Sequence, residues 1–478
     1  MPQIITIDNV NLGGIAYSKY QGMPNSVAQM VGLDIHSEPG IIKVNQKLTK
    51  ESSTVVTAFV KTILPCSDGN TYLFSSTDGK IWKRDSSAVY TLVATAAPAA
   101  GAAGIMDAVE DNGYIYYTMQ SRIGRVAVGA PTDWTTRNDS WATFTKTDAT
   151  WHPIQKVNLV SYIGDKNLVA QIDAGVFSAS ALDVESPLRV KCLGIFETAL
   201  LVGTFIANNV NVTQIFNWNT WSVSFDTADP VPETGINSFL KTDNDTLVNV
   251  GQKGRIYAYN GSKLSRFKRV NGDWGVGKTA FVHPNASVNY DALALFGMSN
   301  VANNPCLQGV YSFGNYSPEL PAVMNLEYVI SQAILSGVEI GAMSIVDDIL
   351  LVAWKNQNNG EFGIDRIDVT AKYTGAYLES RMIMPDREKL TRYAKITVAY
   401  RTLPTGTSIE MRKSVNHGSF VGSDETTGTY LETVIDTQRN TVSTKVAITD
   451  AASLQIRVFP IASGNTAPEI EGVIIEAD

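Results

Sequence analysis

Asp68-Gly69-Asn70-Thr71-Tyr72-Leu73-Phe74 runs almost directly into Asp78-Gly79-Lys80-Ile81-Trp82. An Asp-Gly or Asn-Gly pair tolerates the positive φ of a tight hairpin turn, and the flanking β-branched and aromatic residues suit half-buried strand faces. The stretch therefore reads as consecutive antiparallel strands. The same theme returns in Asp111-Asn112-Gly113-Tyr114-Ile115-Tyr116-Tyr117 and in Gly254-Arg255-Ile256-Tyr257-Ala258-Tyr259-Asn260-Gly261. Looser versions occupy Tyr162 to Leu168 and Asp347 to Trp354.

Grouping the hairpins gives approximate units at 50–90, 103–150, 151–185, 186–226, 232–272, 278–320 and 336–370. A spacing of roughly 40 to 50 residues is that of one four-stranded propeller blade. The expectation is an all-β chain with a β-propeller of about seven four-stranded blades, the range being six to eight, and with Ala94 to Gly104 as a loop. Helical signals are confined to Asn25–Val31 and Leu326–Ile334. Beyond residue 370 alternation continues in shorter strands, such as Ala394 to Tyr400, Ser408 to Arg412 and Leu454 to Phe459, separated by turns such as Leu403-Pro404-Thr405-Gly406. That pattern predicts a C-terminal antiparallel β-sandwich. The expected organisation is an extended segment over 1–49 leading into the propeller, the propeller over 50–370, and the sandwich over 371–478.

The chain has 478 residues, 44% hydrophobic and 18% charged, with a net charge of −8 and no Lys/Arg run to neutralise phosphates. Disorder and tight nucleic-acid binding are disfavoured. Cys66, Cys192 and Cys306 are too scattered for a zinc site or a disulfide framework and read as buried thiols. No signal peptide or continuous apolar span stands out, so a cytosol-like compartment without membrane insertion is expected.

One motif points to chemistry. Gly272-Asp273-Trp274-Gly275-Val276-Gly277-Lys278-Thr279 matches the phosphate-binding pattern GxxxxGK[ST]. Its context is wrong, because a phosphate cradle needs a following helix and Pro284 stands where a second helical turn would be. An inter-blade loop is the better reading. His36, His152, His283 and His417 are isolated, and Asp347-Asp348 and Asp243/Asp245 read as hairpin tips before they read as Ca²⁺ ligands. Ser76-Thr77-Asp78-Gly79 is one residue short of the sialidase turn motif. No catalytic, cofactor-binding or metal residue is assigned. Of the eight tryptophans, Trp134, Trp141 and Trp151, set among Thr, Asn and Asp, are the candidates for an exposed contact surface.

Asn11-Leu12-Gly13-Gly14-Ile15-Ala16-Tyr17-Ser18, Asn25 to Gln29 and Gly32 to Leu48 resemble the opening of tailed-bacteriophage virion proteins built on propellers, the podovirus tail nozzle family being nearest in style. Leu200-Leu201-Val202-Gly203-Thr204, Ile215-Phe216-Asn217-Trp218-Asn219 and Glu379 through Tyr400 extend the resemblance. It implies a non-enzymatic structural protein of the virion tail, a homo-oligomeric ring, commonly a hexamer, assembled in the host bacterial cytoplasm. Its partners would be an adaptor, fibres or a tip, with DNA passing through during ejection. The alternatives are a receptor-binding protein for host glycan or outer-membrane protein, and a propeller glycosidase.

Overall fold

The computed structural model describes residues 3–477 except 17, 53–54, 98–103, 147–149, 207–212, 243–244, 262, 291, 303–304, 316–318, 333–336, 385–392, 423–431, 435–439 and 449–451. Seven four-stranded antiparallel meanders follow one another around a ring. The first six blades span residues 60–95, 107–143, 154–183, 188–231, 236–269 and 279–328. Within a blade the turns are those that the dipeptides call for: Asn112 (φ 49°) and Gly113 (φ 77°) join the first two strands of blade 2, and Asp347 (φ 51°) and Asp348 (φ 61°) do so in blade 7.

Blade 7 is built from both ends of the propeller segment. Its three inner strands are Val338–Val346, Ile349–Asn356 and Glu361–Lys372, and its outer strand is Gln46–Lys50, paired antiparallel from Lys50↔Asp365 to Lys47↔Asp368. The ring closes on an apolar seam in which Val60, Leu73 and Trp82 of blade 1 meet Ala342, Leu351 and Ala353 of blade 7. Burying such faces between neighbouring sheets leaves only short outer edges in water.

Two other N-terminal segments also leave the expected role of a simple lead-in. Gln3–Ile7 pairs with Ile470–Ala477, and Ile7 lies fully buried beside Val473, Ile475 and Ile396. Gln29–Val31 lies between Tyr377–Glu379 and, through Val31↔Leu326, the outer strand of blade 6. The segment 1–49 is therefore corrected: it supplies strands to both units, because each leaves an unpaired edge that this segment can satisfy.

The sandwich has one sheet of Gln3–Ile7, Ile470–Ala477, Tyr393–Tyr400 and Thr441–Ala447, and a second of Glu432–Val434, Ser408–Val415, Leu454–Ile461 and Tyr377–Glu379. The second sheet continues through Gln29–Val31 into blade 6, so propeller and sandwich share one hydrogen-bonded surface.

Neither helical expectation holds for the described residues. Gln29–Val31 and Val323–Tyr328 are strands, because ladder partners on both sides outweigh a two-turn propensity signal. Residues 333–334 of the second window lie outside the described residues. The helices described are one turn at Val10–Gly13 and a 3₁₀ turn at Trp134–Thr136.

Candidate functional site

The innermost strands of successive blades pack side by side around the propeller axis, and polar side chains near their beginnings converge. Lys61 and Glu339 are second in their strands, Asp107 is first, and Lys191 is fourth. Blade 6 contributes through a bulge: its inner strand pairs Val282↔Met298 and then Ser287↔Phe296, so residues 283–286 swing out of the ladder. Pro284 is tolerated there because a bulged residue owes no ladder hydrogen bond. The bulge carries His283 and Asn285 to the axis.

Asp107 is the fixed point. It accepts from Asn285 Nδ2 at 2.7 Å, Thr62 Oγ1 at 3.1 Å, and the amides of Ile154 and Ala108 at 2.9 Å each. Blades 1, 2, 3 and 6 meet on this carboxylate. Burial nevertheless pushes its pKa up to about 6, the four donors acting the other way. His152 is equally enclosed, between the carbonyls of Gly164 at 2.6 Å and Gln120 at 2.9 Å, with Phe144 stacked at 3.8 Å.

Above this floor lies a group of cations. The Lys61 and Lys191 ammoniums sit 5.0 and 5.3 Å from the Trp151 ring centre, and Lys61 and Lys355 sit 5.8 and 6.0 Å from that of Phe59. Lys191 donates to Asn237 Oδ1 at 2.6 Å, whereas the ammoniums of Lys61 and Lys355 have no hydrogen-bond acceptor among the described residues. Burial lowers the Lys191 pKa to about 8, and burial lowers that of Lys61 as well. His283 meets Glu339 at 3.1 Å, yet burial holds its pKa down near 4, with Lys61 and Lys191 adding to the effect. Lys61, Lys191, Trp151, His283 and Asp107 line a cavity of ≈ 20 Å³, about the space of one water.

The three tryptophans proposed as an exposed surface are not brought together. Trp134 is 3% exposed and packs on Tyr72 at 5.1 Å, and on Phe74 and Tyr117 at 6.2 Å each, in the core between blades 1 and 2. Trp141 is half-buried against Tyr116 and Arg125, and Trp151 belongs to the axial group. Large rings close to a strand end fill inter-blade space whatever polar residues flank them in sequence.

Among the described residues the most exposed aromatic is instead Trp221, 87% exposed with Val223 at 86%, on the loop joining the last two strands of blade 4. In blade 3, Leu159 (80%) and Val176 (66%) stand at turns of the same end, since alternate turns of a meander share one side. These apolar residues face away from the axial cations. The alternation Trp221-Ser222-Val223-Ser224-Phe225 was a legible signal, and so was a charge second in an otherwise apolar inner strand.

The phosphate-pattern loop connects the outer strand of blade 5, Leu264–Arg269, to the inner strand of blade 6, Thr279–Tyr290, with no helix following. Lys278 is tied to Asp273 of the same loop. Gly272 and Asp273 border a groove of ≈ 640 Å³ between propeller and sandwich, where Arg457 pairs with Glu379 at 2.8 Å. Cys306 lines it too, but burial pushes its thiol up to about 12, which removes it as a nucleophile. Asp243 lies outside the described residues, and among the described residues no three His, Cys, Asp or Glu side chains cluster as metal ligands. No described helix is long and apolar enough to cross a membrane.

No protein-family model matches the chain, and neither does any curated protein. Among solved structures, the extracellular domain of BT4673 from B. thetaiotaomicron is 12% identical with a TM-score of 0.47, over 79% of this chain and 45% of that one. This chain thus spans less than half of that domain. Streptogramin B lyase is 13% identical with a TM-score of 0.43, over 67% of this chain and 97% of that one. The Dos1 propeller is 10% identical, again with a TM-score of 0.43, over 75% and 96%. The likeness is one of fold, and the activities of these proteins are not carried over. The class defined by the sheets themselves is a seven-bladed β-propeller joined to a β-sandwich by shared strands.

Proposed function

We propose that this chain is a non-enzymatic structural component of a tailed-phage virion, a nozzle-like subunit of the tail that assembles into a ring and contacts adaptor, fibres or tip. The observation that carries the reading is the unbroken sheet from blade 6 through Gln29–Val31 into the sandwich. A strand shared between two units resists their relative motion, which suits a part that holds its shape in a permanent assembly. The exposed apolar residues Trp221, Val223, Leu159 and Val176 give further support, as contacts for neighbouring subunits. DNA would pass through the lumen of the ring formed by several copies. Mass photometry of the purified chain tests this. Closed rings of one size are the expected result, and a monomer at all concentrations, absent from purified particles, would overturn it.

A receptor-binding role is the second reading, favoured by the aromatic tip at Trp221. Saturable attachment to host cells that blocks infection, and that is lost in Trp221→Ala, is its distinguishing result.

A further inference from the structure

We infer that the axial mouth on the side of the inner-strand beginnings is a binding site for a compact oxyanion, a carboxylate, sulfate or phosphate group, held by Lys61, Lys191 and Lys355. The inference stands on the geometry of blades 1, 3, 4 and 7 and is independent of any role in a virion.

The chain carries a net charge of −8, yet three ammoniums gather within reach of two aromatic rings at one end of the axis. Like charges brought together repel, and burial strengthens the repulsion by removing the water that screens it. Glu339, directly opposite Lys355 in the ladder, attracts Lys61 and Lys355 and offsets one of the three charges, while its oxygens are met by His283 at 3.1 Å and by Gln357. Asp107 below is saturated by its four donors. Lys61 and Lys355 are thus left with donors and no acceptor among the described residues. Ring faces stabilise a cation but take no hydrogen bond of ammonium strength. An oxyanion at the mouth supplies the missing acceptors and the negative charge that Glu339 alone does not provide. The enclosed space is about one water in size, so the anion would sit in the opening with its oxygens turned inward and the rest of any larger ligand outside.

The oxyanion could be free in solution or the acidic group of a saccharide, and titration distinguishes the two. Isothermal titration of the full chain with sulfate, inorganic phosphate and glucuronate, each against chloride at matched ionic strength, should give saturable one-to-one binding. Similar affinity for all three means that the site reads the anionic group alone, and tighter glucuronate means that the group arrives on a sugar. Lys61→Gln and Lys191→Gln should each weaken binding at least tenfold, while Lys395→Gln on the sandwich surface leaves it unchanged. Sulfate should raise the melting temperature of the wild type and not of the two variants. If the lysines only brace the rings, the variants melt lower and sulfate shifts none of them, which overturns the proposal. Should the variants fail to fold, wild-type crystals soaked in selenate decide the matter. Anomalous signal at the axial mouth upholds the site, and signal only elsewhere overturns it.

Discussion

Asn285 Nδ2 donates to Asp107 Oδ1 at 2.7 Å, joining blade 6 to blade 2 across the propeller axis, 178 residues apart in sequence. The same carboxylate holds the first amide of blade 3 and the Thr62 hydroxyl of blade 1, so the ring is pinned at its centre as well as closed at its rim. Removing the pin leaves several buried donors unpaired. Asp107→Ala should cost about 3 kcal/mol, read as a shift of the urea midpoint. Asp107→Asn should also destabilise, because all four partners donate and one amide nitrogen must face a donor. With its pKa raised to about 6, Asp107 favours folding below the unfolded value of 3.8 and loses that contribution as pH climbs towards 6.

The rim closure depends on a buried ion pair just beyond Gln46–Lys50. Arg84 Nε donates to Glu51 at 2.8 Å, and the Tyr90 hydroxyl donates to the same oxygen at 2.6 Å. Glu51→Ala strands a guanidinium that is 5% exposed and should cost about 3 kcal/mol. Hydrogen exchange should then rise first in residues 46–50, the strand that closes blade 7.

A second buried network fixes the Leu33–Val44 hairpin to blade 6. Glu327 accepts from Asn45 and Ser312 at 2.7 Å each and from Asn325 at 3.1 Å, while His36 Nε2 meets Ser312 Oγ at 3.1 Å. Burial raises Glu327 to about 8, and burial lowers His36 to about 4. The raised carboxyl stabilises fully below pH 4.5 and progressively less up to pH 8, whereas the depressed imidazole stabilises above pH 6.5 and is lost towards pH 4. Of these two groups, only Glu327 changes its contribution between pH 6.5 and 8. Wild-type melting temperature should fall across that window, and Glu327→Gln should flatten the fall; an unchanged slope would refute the assignment.

Trp134 and Trp221 should respond in opposite ways. Trp134→Ala empties an aromatic inter-blade core and should cost about 3 to 5 kcal/mol in chemical denaturation. Trp221→Ala, at an 87% exposed position, should change stability by less than about 0.5 kcal/mol and act only on assembly or attachment, measured by mass photometry and cell binding.

The repeat of Asp-Gly and Asn-Gly hairpins at blade spacing, with aromatic residues in the strands, was enough by itself to specify an all-β propeller and a following sandwich. Turn dipeptides and period-two alternation act on neighbours in sequence, so they are legible there. The phosphate-pattern loop was legible in the same way, through the proline and the strand that follow it. Only the tertiary structure decided which strand closes the ring, for Lys50 meets Asp365 across more than three hundred residues and many edges could have accepted it. It also decided that Gln3–Ile7 completes the sandwich, that Trp134 is core while Trp221 is surface, and that Lys61, Lys191 and Lys355 gather on the Trp151 and Phe59 rings. Each of those outcomes depends on how seven sheets are rotated about a common axis, and rotation about an axis leaves no mark on the residues next in sequence.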